Sequence, residues 1–183
     1  MKVKGAYLIL IRDAKTLKLL ERIKIRNVIT TNFINQLPST IYGNHPFTFL
    51  RSVAPNQTGC PSLMRKYWYI VLGTGSGTPS ESDTELFTPV SATAKHGSIS
   101  HSGNQAQYYV RYLPEEINGY TYTEIGVYDL ITGHWVSHVP GSYTWEWYNY
   151  TSGTLLTHAL ISPAIEKTSD ILLDCYAQIT FTS

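Results

Sequence analysis

The chain has 183 residues, with 14 Lys and Arg against 13 Asp and Glu and a formal net charge of +1. That length suits one domain with a real core, and the neutrality removes the electrostatic ground for expecting nucleic acid or an anionic membrane as a partner. Charged residues are 15% of the chain, below the usual figure of about a quarter, whereas tyrosine is plentiful, a bias that suits pleated sheets and large protein contacts.

In chain order, "MKVKGAYLILIRD" alternates apolar residues with Lys and Gly and reads as a first strand. Its apolar run is too short for a signal-peptide core or a membrane span, so a protein made and kept without export is expected. Across the turn "RDAKT", "LKLLERIKIR" places Leu17, Leu19, Ile23 and Ile25 on one face and Lys18, Arg22, Lys24 and Arg26 on the other. That is a half-buried strand with a basic solvent face. "TTNFINQL" reads as a short helix, with Thr30 as N-cap, a stripe of Phe33, Ile34 and Leu37, and Pro38 closing it.

Residues 41–66 hold the breakers Gly43, Pro46, Pro55 and Pro61 and read as a long excursion. The strand "YWYIVL" then empties into a loop with Gly73, Gly75 and Gly77. Residues 88–106 are small, polar and of flexible composition. "QYYVRYL", "TYTEIGVYD" and "TLLTHALI" read as strands, and residues 130–153 contain an aromatic hairpin or arm, "GHWVSHVPGSYTWEWYNYTSG". The closing "DILLDCYAQITF" puts Ile171, Leu173, Cys175, Ala177, Ile179 and Phe181 inward and Asp174, Gln178 and Thr180 outward. The class expected is all-β: an antiparallel β-sandwich of roughly seven to nine strands in one domain, with one short helix near the N-terminus. Insertions fall at about 41–66, 88–106 and 130–153. The expected core is Ile23, Ile25, Ile70, Leu72, Ile125, Val127, Leu156, Leu160, Leu173, Ile179 and Phe181.

The glycine loop is the first candidate for chemistry. A phosphate-binding P-loop needs a Lys after its last glycine, and here Gly77 is followed by Thr78 and Pro79. A dinucleotide site needs a helix after the loop, in surroundings that here are β-rich. The glycines are therefore read as permitting positive φ and close packing, with Ser82 to Glu85 at capping-box spacing ahead of a buried Leu86. Glu124 lies on a strand whose neighbours look packed, and a buried carboxylate must find donors. One reading has it accept from the amides around Gly73 to Gly77 and pin the loop. The other has it pair with a Lys or Arg on an open strand face.

His134 and His138 share a strand face but have no third ligand nearby, so no metal site is assigned. Asp13, Asp83, Glu124, Asp129 and Asp174 sit in separate elements, and no nucleophile elbow occurs. Cys60 and Cys175 are read as free thiols. Asn56 and Asn149 match the glycosylation sequon, which means little without export.

Four motifs stand in a telling order: "NVITTNFINQL", "IVLGTGSGTPSESDTEL", "YTYTEIGVYD" and "GTLLTHALISPAIEKTSDILLDCYAQITF". The series resembles a family of small tailed-bacteriophage virion proteins of the tail-fibre, tail-collar or minor structural type. It touches both ends and the middle of the chain. Residues 41–66 and 130–153 depart from it, being longer and more aromatic than the family core needs. The resemblance implies no catalytic residues, and with the residues read above no enzyme, metal or cofactor is expected. It implies a self-assembling structural subunit located in the virion, whose partners are copies of itself and other virion proteins. Gly73, Gly75, Gly77, Asp83 and Glu124 are then a structural loop. Trp135, Tyr143, Trp145, Trp147, Tyr148 and Tyr150 are interface or receptor-contact residues. Two alternatives stay open: a host-glycan-binding module using residues 143–150 as an aromatic platform, and a capsid-surface decoration or head-fibre protein.

Overall fold

The computed structural model describes residues 2–36, 68–129, 132–139, 142–149 and 153–182. The order of elements is β1 (Lys2–Asp13), β2 (Leu19–Ile29), α1 (Thr31–Gln36), β3 (Trp68–Gly73), β4 (Lys95–His96), β5 (Ser98–Ser102), β6 (Gln105–Tyr112), β7 (Thr121–Asp129), β8 (Thr132–Val139), β9 (Ser142–Asn149), β10 (Thr154–Glu166) and β11 (Ile171–Thr182). All pairings are antiparallel, as period-two alternation requires of half-buried strands.

Nine strands form one sheet in the order β4-β3-β7-β10-β2-β1-β11-β6-β5. It folds over itself into two layers. Layer A is β2-β1-β11-β6-β5 and layer B is β4-β3-β7-β10-β2. β2 belongs to both: its first part, through Asn27, pairs with β1, whereas Val28 and Ile29 pair with β10. On the other side only Gly97 separates β4 from β5, so the chain steps there from one layer to the other and the sheet is nearly closed. A Cβ on Gly97 would lie 1.8 Å from the Tyr109 carbonyl oxygen, which leaves glycine as the residue that fits this corner. The Tyr108 hydroxyl bridges the step, accepting from the Gly97 amide and donating to the Trp68 carbonyl.

The core lies between the layers. Layer A contributes Tyr7, Ile9, Ile23, Val110, Leu173 and Ile179, and layer B contributes Ile70, Leu72, Ile125, Val127, Leu156 and Ile161. Ile25 packs against this core while partly buried. Leu160 is half-buried instead of central, because the β10 register shifts between Leu155 and Thr157 and again after Leu160, so that Ala159 and Ile161 point inward. Leu17 and Leu19 are also not inside. They are 53% and 44% exposed, Leu17 lying in the hairpin turn at φ 59° and Leu19 beyond a register shift at Ile11/Arg12.

The helix begins where the sequence places it. Thr30 Oγ1 accepts from the Phe33 amide at 3.4 Å and donates to the Leu155 carbonyl at 2.7 Å, so the N-cap also ties the helix to β10. Phe33 is buried and Ile34 exposed. Leu37, Pro38, the excursion 41–66 and Cys60 lie outside the described residues. Residues 88–106 are not a plain flexible insertion. They carry a 3-10 turn (Ser91–Thr93), β4 and β5, which join the two layers. Thr93 Oγ1 accepts from the Leu72 amide at 2.8 Å and holds the turn on β3.

Candidate functional site

The loop after β3 doubles back over the outer face of layer B. Thr74 donates to the Thr88 carbonyl at 2.9 Å and Val90 to the Leu72 carbonyl at 2.9 Å, so the return leg runs beside the departing strand. Leu86 plugs a second apolar cluster with Tyr69, Val71, Tyr128 and Leu155, and its amide donates to the Tyr128 hydroxyl at 2.7 Å. Layer B is thereby buried on both faces, which is why every residue of β3 is buried. No helical turn follows Ser82. The Asp83 carboxylate instead accepts from the Ser80 amide at 2.9 Å, and Asp83 itself donates to the Ser80 carbonyl, closing a tight turn.

Beneath this loop sits Glu124, opposite Gly73 in the β3–β7 register and fully buried. One carboxylate oxygen accepts from the amides of Gly75 at 2.9 Å and Thr88 at 2.7 Å. The other accepts from the Phe87 amide at 2.9 Å and faces His158 Nε2 at 3.1 Å. His158 Nδ1 lies 2.7 Å from Asp83, and the Phe87 ring covers the imidazole at 4.8 Å. The donors are thus backbone amides on both legs of the loop together with an imidazole. Of the glycine run, Gly75 donates. A Cβ there would stand 2.6 Å from the Glu124 carboxylate and 2.7 Å from the Thr88 nitrogen, so the cradle needs glycine for close approach. The positive φ expected of Gly73, Gly75 and Gly77 is not found, because the loop returns along β3 in ordinary backbone regions.

The charges interlock. Burial alone would raise the Glu124 pKa, but His158 and the amides of Thr88, Phe87 and Gly75 outweigh it and hold the carboxyl below its ordinary range. Burial alone would lower His158, and its hydrogen bonds to Glu124 and Asp83 outweigh that, raising it. An imidazolium with both ring N–H groups donating to carboxylates satisfies all three side chains. The site can lock a loop. Its Gly75 and Thr74 amides are engaged by Glu124 and by the Thr88 carbonyl. His158 carries no motif; its only sequence signal is a titratable residue inside the apolar run "TLLTHALI".

A second buried carboxylate, Asp174, lies on the outer face of layer A, 1% exposed although its position points outward. It accepts from Arg12 Nε at 2.8 Å, Arg111 Nε at 2.7 Å and the Tyr109 hydroxyl at 2.7 Å. Burial raises its pKa, and Arg111, Tyr109 and Arg12 reverse the shift to a net lowering. Lys167 is a further buried cation, with its ammonium on the carbonyls of Pro114 and Thr168 and on Asn118 Oδ1 at 2.9 Å. Cys175 is a free, fully buried thiol whose pKa burial pushes up.

The aromatic segment forms the hairpin β8–β9, a two-stranded sheet outside the nine-stranded one. Trp135 pairs with Trp145, Gly133 with Trp147 and Ser137 with Tyr143, while Tyr148 also lies on β9. His134 and His138 lie on β8. Tyr150 is outside the described residues. Among the described residues no group of three or more His, Cys, Asp or Glu is arranged to hold a metal ion, and no helix is long and apolar enough to cross a membrane. Comparison of the chain with protein-family models, curated proteins and solved structures gives no match.

Proposed function

We propose that this chain is a structural subunit of a tailed-phage virion, associated with its tail, collar or fibre, which acts through contacts with copies of itself and with neighbouring proteins. The observation that supports this most is the β8–β9 hairpin. It pairs only within itself among the described strands, and its sequence places three Trp and three Tyr within residues 135–150. A lone hairpin is marginal in water, its outer edges offer unpaired backbone groups, and aromatic residues are the usual anchors of protein interfaces. The motif residues add support of another kind. Thr30, Gly75, Glu124 and Lys167 all serve as polar ties within the fold, as suits a scaffold.

The composition of the same hairpin suits a second reading, a platform on which host glycan stacks. One double variant separates the two. With Trp145→Ala and Trp147→Ala, the structural reading expects a folded subunit that no longer self-associates by light scattering and is missing from particles probed with antibody. Particles that assemble with the altered subunit but no longer attach to cells would replace it with the glycan reading.

A further inference from the structure

Layer A presents an open five-stranded face on the side away from the core. Directly paired residues of an antiparallel sheet share a face, so one row across it reads Lys24, Leu8, Tyr176 and Tyr109, and the next reads Arg22, Leu10, Asp174 and Arg111. Lys4, Arg12 and Arg26 stand on the same face. All six cations of this surface are exposed except Arg12, which is half-buried. The one carboxylate in these rows, Asp174, is buried and fixes the guanidinium groups of Arg12 and Arg111 together with the Tyr109 hydroxyl. Tyr109 and Tyr176 stack with ring centroids 4.7 Å apart.

Two features favour a protein as the occupant over a glycan or a nucleic acid. The centre of the face is aliphatic and aromatic, with Leu8 and Leu10 beside the tyrosine pair, and the exposed Leu19 and Leu20 continue it at the hairpin end. Arg outnumbers Lys among the cations, as it does at interface centres. The partner surface must be acidic. Because the whole chain carries only +1, its acidic residues lie elsewhere on the same molecule. Glu81 and Glu85 are exposed on the glycine loop, which covers the outer face of layer B on the opposite side of the sandwich.

We propose that the basic face of layer A docks on the acidic glycine loop of a second copy, head to tail. This rests on the self-assembly reading above and names the surfaces that carry it. Such a heterologous contact leaves one face of each kind free at either end, so it builds rings or rows rather than two-fold dimers. Charge complementarity sets its register and its encounter rate.

Sedimentation velocity on the full chain tests this. Association should weaken at least about tenfold between about 0.05 M and about 0.5 M salt, where the screening length shrinks to a few ångströms. Arg22→Glu with Lys24→Glu should give a folded monomer, and so should Glu81→Lys with Glu85→Lys. An equimolar mixture of the two variants should associate again, since each then presents the complement of the other. A mixture that stays monomeric overturns the pairing. Association that survives both variants and disappears only with Trp145→Ala and Trp147→Ala overturns this inference and leaves self-assembly standing. A wild-type chain that is monomeric at every salt concentration removes both.

Discussion

Glu124 and Asp174 are both carboxylates with at most 1% of their surface exposed, and they lie on the outer faces of opposite layers. Their partners differ in kind. Glu124 is held by three backbone amides and a histidine, all covered by the glycine loop. Asp174 is held by two arginines and a tyrosine whose far sides meet water. A carboxylate bound to amides fixes backbone, because amides cannot leave without unfolding the loop. One bound to guanidinium groups fixes side chains, because arginines can swing out and be solvated. Layer B therefore uses its charge to close a face, and layer A uses its charge to shape an open one.

Removing each carboxylate puts that difference to the test. Glu124→Ala leaves three amides and His158 without their acceptor in a buried place, and should cost about 3–5 kcal/mol in chemical denaturation, as broken buried pairs do. A loss below about 1 kcal/mol would mean that the loop sits on its apolar plug, Leu86, and not on the carboxylate. Asp174→Ala should cost less, about 1–2 kcal/mol, since its arginines turn to solvent. Equal costs at the two sites would erase the distinction.

Titration sharpens it further. His158 is raised above its ordinary value near 6.5 by Glu124 and Asp83 against the pull of burial. The stability it contributes is complete below that ordinary value and is lost as pH rises through the raised one. Glu124 and Asp174 are lowered, so their contributions are present above the ordinary carboxylate range and are lost as pH falls through the lowered values. Thermal melts of wild type and His158→Gln should therefore differ most in mildly acidic buffer and converge in alkaline buffer. A gap that widens with rising pH would mean the imidazole is neutral in the fold.

The smallest expected effect falls on neither layer. Leu17 occupies the left-handed region at φ 59° with its side chain in water. Asn tolerates that conformation better, so Leu17→Asn should raise stability by a few tenths of a kcal/mol, roughly the range of surface changes.

Alternation made most strands legible, because a sheet with one wet face repeats every two residues. β11 reads correctly from Cys175 to Phe181 for that reason, whereas Leu172 and Asp174 are buried on the outward face. The pattern failed where the ladder itself is irregular. Leu160 follows a register shift that no propensity reports, and β4 and β5 take their strand form from the layers they join, since "KHGSIS" has little intrinsic preference. At the loop, Glu124 could be matched to nearby glycine amides because a buried acid needs donors. The Phe87 and Thr88 amides were hidden, since they arrive only when the loop doubles back. His158 and Asp83 meet across 75 residues, and Arg12 reaches Asp174 across 162, distances over which local pattern carries no information.

The position of β11 has a consequence for how the chain acquires its shape. It lies between β1 and β6, with Thr182 opposite Lys2 and Leu173 opposite Tyr112. Every neighbour it needs precedes it in the chain. Without residues 171–182 in place, the β1–β2 hairpin and the β5–β6 hairpin each lack the strand that pairs them in layer A. Contacts of such long sequence separation place folding among the slow, loop-closure-limited class, and partly made chains carry the exposed edges that invite mispairing. β11 acts as a keystone, joining two hairpins that both precede it in the chain.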